Sequence, residues 1–118
     1  EEVQTAHPDI AGWAMIGGWA LLSDAVRKNA RFADGRVKIV SVDALPECLH
    51  YVRAGVAQGL LAQGCYQWGY RAVEILFDKV VNGRECEGGQ DIASLTPVDR
   101  ENVEEFARQW DKWLPSRK

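Results

Sequence analysis

Residues 39–63 read IVSVDALPECLHYVRAGVAQGLLAQ, and the fold class turns on how this stretch is built. The run Val37 to Val42 alternates little between apolar and polar residues, which predicts a central strand covered on both faces and hence a parallel sheet. Asp43 stands at the C-terminal end of that strand. Pro46 then occupies a place that a first helical turn tolerates, Glu47 complements a helix N-terminus, and Leu49, Val52 and Arg53 carry the helix until Gly55 stops it. Leu60 to Gln63 forms a second short strand that, like the first, runs out into a polar residue.

Upstream, Ala11 to Ile16 is short and apolar and follows His7-Pro8-Asp9, which predicts a strand entered from a turn and ended by Gly17-Gly18. From Trp19 to Asn29 the apolar residues Trp19, Leu21, Leu22, Ala25 and Val26 recur at helical spacing, with Asp24, Arg27 and Lys28 opposite them. Ala33-Asp34-Gly35 is a turn. Downstream, Gly69, Ala72, Val73, Leu76, Phe77 and Val80 form a stripe along a helix over Tyr66 to Val81, closed by Asn82-Gly83. Cys86 to Gln90 is loop and Asp91 to Leu95 a strand. Asp99 is expected to cap a last helix whose residues Val103, Phe106, Ala107, Trp110 and Leu114 share one face. Strands alternating with helices give an α/β fold, a parallel sheet flanked by helices.

With 118 residues, a net charge of -3 and 47% hydrophobic residues, the chain suits one modest domain with a real core. Its basic residues are scattered among acidic ones, so no nucleic acid is an expected partner. The favoured partner is small and uncharged. No apolar run approaches the roughly 20 residues of a membrane helix, and no basic segment followed by an apolar one opens the chain. Cys48, Cys65 and Cys86 have no metal-ligand spacing and are read as free thiols, partly buried. His7 and His50 lack acidic or thiol partners at metal spacing and are placed on the surface. No metal, cofactor or catalytic residue is expected, because neither a nucleophile with a His base nor a pair of carboxylates across a cleft stands in a recognisable pattern.

With strand, Asp, Leu-Pro-Glu and Gln in this order, the chain resembles the C-terminal part of the galactose- and ribose-binding proteins that feed sugar ABC transporters. The likeness runs from HPDIAGWAMIGGWALLSDAV through VDALPECLHYVRAG and GLLAQ to LTPVDRENVEEF, and VDALPE is its most specific part. It implies a partial type I periplasmic-binding-protein lobe, in a protein whose two α/β lobes close on a sugar. The whole chain would be the C-terminal portion of that protein, with residues 66–95 belonging to the other lobe.

The resemblance places Asp43 as an acceptor for sugar hydroxyls. A carboxylate at the end of a parallel strand lies in the crevice where α/β ligands bind, and its two oxygens can accept from neighbouring hydroxyls. Its alternative is a cap for the following helix. Gln63 falls where the family has an Asn or Gln, whose amide both donates and accepts. Gly17 and Gly18 replace an Asn and an Asp of the family pattern, so no side-chain amide can reach a sugar from Gly17. Trp19 is positioned to compensate by covering an apolar sugar face, against the alternative of a core helix residue. The two glycines could instead turn backbone N–H groups toward an anion. Trp13, Trp68, Trp110 and Trp113 are assigned to core or interface packing.

The implied function is the solute-binding component of a sugar ABC transporter, periplasmic, non-enzymatic, with a monosaccharide or polyol and a permease as partners. The alternatives are the effector domain of a lac-repressor-type regulator, which shares the fold, and a fragment of an α/β enzyme. The stripe over 66–81 needs cover, so the chain either forms a homodimer through that helix or is completed by further sequence.

Overall fold

The computed structural model describes residues 2–23, 26 and 28–114. In chain order these form α1 (Glu2–Ala6), β1 (Gly12–Met15), α2 (Trp19–Leu22), α3 (Ala30–Ala33), β2 (Lys38–Val42), a 3₁₀ turn (Pro46–Cys48) that runs into α4 (Leu49–Arg53), β3 (Gly59–Gln63), α5 (Cys65–Asn82), β4 (Leu95–Val98) and α6 (Val103–Trp113). The strands lie in the order β1-β2-β3-β4, and both β1 with β2 and β2 with β3 are parallel. The α/β class and the parallel pairing therefore agree with the sequence.

The chain divides into two compact units, residues 1–62 with 97–118, and residues 63–96. In the first unit the inward faces of the strands supply Ile39 and Leu60, against which Cys48, Leu49, Tyr51 and Val52 of the α4 region and Val103 and Phe106 of α6 pack as one core. A buried residue anchors α1 to it. Gln4 accepts from Trp13 Nε1 at 2.6 Å and donates to the carbonyls of His7 and Ile10 at 3.3 Å, so a polar side chain is buried with its hydrogen bonds satisfied. Trp110 Nε1 donates to the Ala44 carbonyl at 2.9 Å and joins α6 to the residue after Asp43. Trp13 and Trp110 thus pack against the core as expected, whereas Trp113 is largely exposed.

The second unit is built on α5, which ends at Gly83 in the left-handed conformation, φ 63°. Its polar flank is tied to the return segment by Arg71 donating to Asp91 at 2.6 Å and Arg84 donating to Asp78 at 2.6 Å. Its apolar stripe, Tyr66, Tyr70, Val73, Phe77 and Val80, is exposed along the helix. The spacing of that stripe, alternately four and three residues, is the spacing of a seam that packs on another surface.

Several sequence expectations need correction. The helix from Trp19 breaks at Ser23, whose backbone is extended (ψ 153°) and whose hydroxyl donates to the Ala20 carbonyl at 2.7 Å. A serine bonding its own backbone in this way competes with helix. Val26 and Lys28 are helical again, and Asp24, Ala25 and Arg27 lie outside the described residues. The last strand is not Asp91 to Leu95 but Leu95–Val98, where an edge position in the sheet accommodates Pro97. Asp99 opens a turn, accepting from the Glu101 N–H at 2.9 Å, and α6 begins at Val103 after Asn102. Leu114 lies beyond α6 and is exposed. Finally, β2 is not covered on both faces: Ile39 and Ser41 are buried while Val40 is 48% exposed, and its neighbours Ala14 and Leu61 are exposed too.

All three cysteines are free, with Cys48 buried, Cys65 exposed and Cys86 half-buried. Burial pushes the Cys48 thiol pKa up, and the Glu47 and Asp43 carboxylates push it the same way, so the reactive thiolate is disfavoured. Alkylation of the native chain at mildly alkaline pH is expected to modify Cys65 first and to reach Cys48 only with denaturant. Labelling of Cys48 at the rate of Cys65, read by peptide mass spectrometry, would contradict this packing.

Candidate functional site

In a parallel sheet the loops that leave the C-terminal strand ends gather on one edge, where α/β folds bind ligands. The register pairs Met15 of β1 with Ser41 of β2, and Val42 with Leu61 of β3. The residues just beyond these pairs, Gly17 to Trp19 and Asp43, therefore lie on the same edge of the first unit.

Asp43 is half-buried and holds a left-handed backbone, φ 74°, unusual for a residue other than glycine. Two hydrogen bonds maintain it there. Its N–H donates to the Leu61 carbonyl at 2.9 Å, and its Oδ2 accepts from the Gly18 N–H at 2.8 Å. The carboxylate therefore does cap a helix start, but that of α2 and not of the helix that follows it in sequence. It also answers the anion alternative for the glycine pair, since the Gly18 amide already has an anionic acceptor inside the chain.

Gly17 and Gly18 are both buried. Gly17 has φ 133°, and its carbonyl, at 3.2 Å, shares the single donor proton of the buried Ser41 hydroxyl with the Val42 carbonyl at 2.9 Å. A methyl group placed on Gly17 would overlap the Cζ3 and Cη2 atoms of the Trp19 ring, and one on Gly18 would come 3.0 Å from the Asp43 Cβ. Both glycines are thus required by close approach, Gly17 also by its backbone angle. Trp19 lies with its ring across Gly17 and is nevertheless 71% exposed, which rules out a core position.

Gln63 is half-buried at the end of β3 and belongs to the second unit, with residues 63–96. In the first unit Gly17, Trp19 and Asp43 thus form one contacting group. Sequence reading missed Ser41, whose hydroxyl holds the Gly17 carbonyl. A polar residue at an inward position of an otherwise apolar strand was the available signal.

No protein-family model matches the chain, and no curated protein matches it. Solved structures do. A carbohydrate transporter of Acidothermus cellulolyticus 11B in complex with myo-inositol superposes with a TM-score of 0.71 at 25% identity, over 94% of this chain and 38% of that one. The fold is that of a partial type I periplasmic sugar-binding protein. A periplasmic ribose ABC transporter protein of Conexibacter woesei DSM 14684 matches the same partial fold with a TM-score of 0.63 at 22% identity, over 94% of this chain and 38% of that one. A putative LacI transcriptional regulator of Bacteroides fragilis matches it at 0.62 and 16%, over 88% and 35%. The chain thus spans little more than a third of the length of the structures it matches.

Replacing Trp19 with Ala removes a ring that is mostly in water, so stability is expected to change by no more than about 0.5 kcal/mol. Gly17→Ala meets both the ring and a positive φ and is expected to cost about 1–3 kcal/mol. Urea denaturation of both variants checks the pair; equal losses would place Trp19 in the core.

Proposed function

We propose that the chain is the C-terminal portion of the solute-binding component of a sugar ABC transporter, a non-enzymatic protein of the periplasm or cell surface. It would hold a monosaccharide or related polyol between two lobes and present the closed form to a permease. One observation carries this reading: a tryptophan mostly in water, backed by a glycine and adjoining a carboxylate, at the strand-end edge of a parallel sheet. An indole gives an apolar sugar face a flat surface and one N–H donor, while Asp43 and the Gln63 amide are hydroxyl partners.

Sugar-binding and carbohydrate-transport proteins among the structural neighbours support the ligand class. The compact unit of residues 63–96 coincides with the segment expected in the other lobe, which supports the two-lobe reading. A regulator's effector domain stays as a second reading because a LacI-type neighbour matches the same partial fold. A helix-turn-helix in the same protein would favour it, a signal peptide the transporter. Among the described residues no helix is long and apolar enough to cross a membrane.

In the complete protein the exposed stripe of α5 would pack on the sheet of the other lobe, as part of that lobe. Left wet, each large side chain forfeits roughly 1.5–3 kcal/mol, and the 118-residue chain on its own is expected to form a homodimer through this helix. Phe77→Glu should return it to monomer in sedimentation velocity. A wild-type chain that stays monomeric at high concentration would contradict that use of the stripe.

Half a cleft buries little of a small ligand, so the isolated chain is expected to bind its sugar with an affinity on the order of millimolar, about -4 kcal/mol. Native mass spectrometry with aldohexoses, pentoses and cyclic polyols tests the reading. An adduct with one neutral sugar class is the expected result. Equal adducts with all of them, or none at millimolar sugar, would overturn it.

A further inference from the structure

The edge that carries Trp19 is held by a continuous run of contacts reaching back into the sheet. β3 fixes Asp43 through the Leu61 carbonyl, which accepts from the Asp43 N–H at 2.9 Å, and α6 fixes the next residue through Trp110 on the Ala44 carbonyl at 2.9 Å. Asp43 fixes Gly18 through Oδ2 at 2.8 Å, and the Ser41 hydroxyl, shared with the Val42 carbonyl, adds a weaker contact to the Gly17 carbonyl at 3.2 Å. Gly17 in turn backs one face of the Trp19 ring so closely that no side chain fits between them. The ring's large exposure therefore lies on the side away from Gly17.

A side chain in water ordinarily samples several rotamers. Here the inner face of the indole is seated on backbone, and that backbone is pinned from two strands. Moving the ring requires lifting it from Gly17 or releasing Gly18 from the carboxylate. The outer face is then a preset flat apolar surface beside a negative charge. Such a surface fits an uncharged ring-shaped polyol, whose equatorial hydroxyls point to the rim and leave a flat C–H face, better than an open-chain polyol, which has no such face. It repels anions.

We propose that Asp43 is a positioning residue besides being a hydroxyl partner: its clasp on the Gly18 N–H presents the Trp19 indole as a platform that selects ring-shaped, neutral polyols over open-chain ones. The ligand half of this proposal rests on the sugar-binding reading; the positioning half does not. Asn at position 43 keeps an oxygen acceptor for Gly18 but lacks the charge, whereas Ala lacks both. A merely direct contact with ligand would leave the ligand-free Trp19 untouched by either change.

The experiment is two-dimensional NMR on the whole chain, following the indole N–H of Trp19, assigned by its loss in Trp19→Phe. Without ligand, Asp43→Asn is expected to leave that resonance in place and Asp43→Ala to move it. With myo-inositol and glucitol as probes, wild type and Asp43→Asn should both favour the cyclic polyol by about 10-fold or more, and Asp43→Ala should lose most of that ratio. An unmoved Trp19 resonance in Asp43→Ala overturns the positioning role. Equal affinity of wild type for the two polyols overturns the selection. Binding of neither overturns the ligand half, the sugar reading itself being decided by the wider sugar panel, while the ligand-free spectra still decide the positioning half. Wild type also gives a test that no variant's folding can spoil: the Gly18 amide should exchange with solvent about 10-fold or more slowly than an unprotected amide. Exchange at the unprotected rate overturns the clasp.

Discussion

The hydrogen bond from the Gly18 N–H to the Asp43 carboxylate joins the loops that leave two neighbouring parallel strands. The Asp43 N–H meanwhile donates to the Leu61 carbonyl, so the left-handed residue ties the Gly18 loop to β3. Each part has a consequence for the next. A side chain at 18 would press on Asp43 of the neighbouring loop, and one at 17 would displace the Trp19 ring. Because both positions are glycine, the indole of Trp19 can lie on the backbone and keep its other side in water. A bond of this kind, with an ionised acceptor, contributes more than a neutral one, on the order of 1.5–3 kcal/mol.

A sheet whose strands run parallel is normally covered on both faces, because the crossover helices alternate sides. This chain buries Ile39, Ser41, Leu60 and Ala62 on one side and leaves Val40 and Leu61 exposed on the other. In the second unit the α5 stripe is exposed in the same way. Both are apolar surfaces that no described residue covers, in a chain that spans little more than a third of the length of the structures it matches.

Much of this was legible in the sequence, because the fold-deciding segment combines features that agree with one another. The strand over 38–42, Asp43, the Pro46 turn, the Gly55 stop and the strand over 59–63 all stand where pattern and turn chemistry placed them. What escaped were features set by side-chain to backbone bonds and by missing neighbours. Ser23 breaks a helix whose apolar spacing continues past it. α3 is capped by Asn29, whose side chain accepts from the Arg31 N–H at 3.0 Å, and its four residues are too few to show a helical period. Val40 has the composition of a strand covered on both faces, yet no described residue covers its outer side. The identity of Asp43 as a strand-end carboxylate was legible; that it caps α2 was not, since the link spans 25 residues.

The most direct test of the sugar platform is saturation-transfer difference NMR with myo-inositol, comparing the wild-type chain with Trp19→Ala. The method reads weak binding and reports which ligand protons touch the protein. If the strand-end edge is the sugar site, ring protons on one face of the cyclitol receive saturation from wild type and lose it with the indole. Saturation that is uniform around the ring, or unchanged in Trp19→Ala, would place the ligand elsewhere and contradict the account.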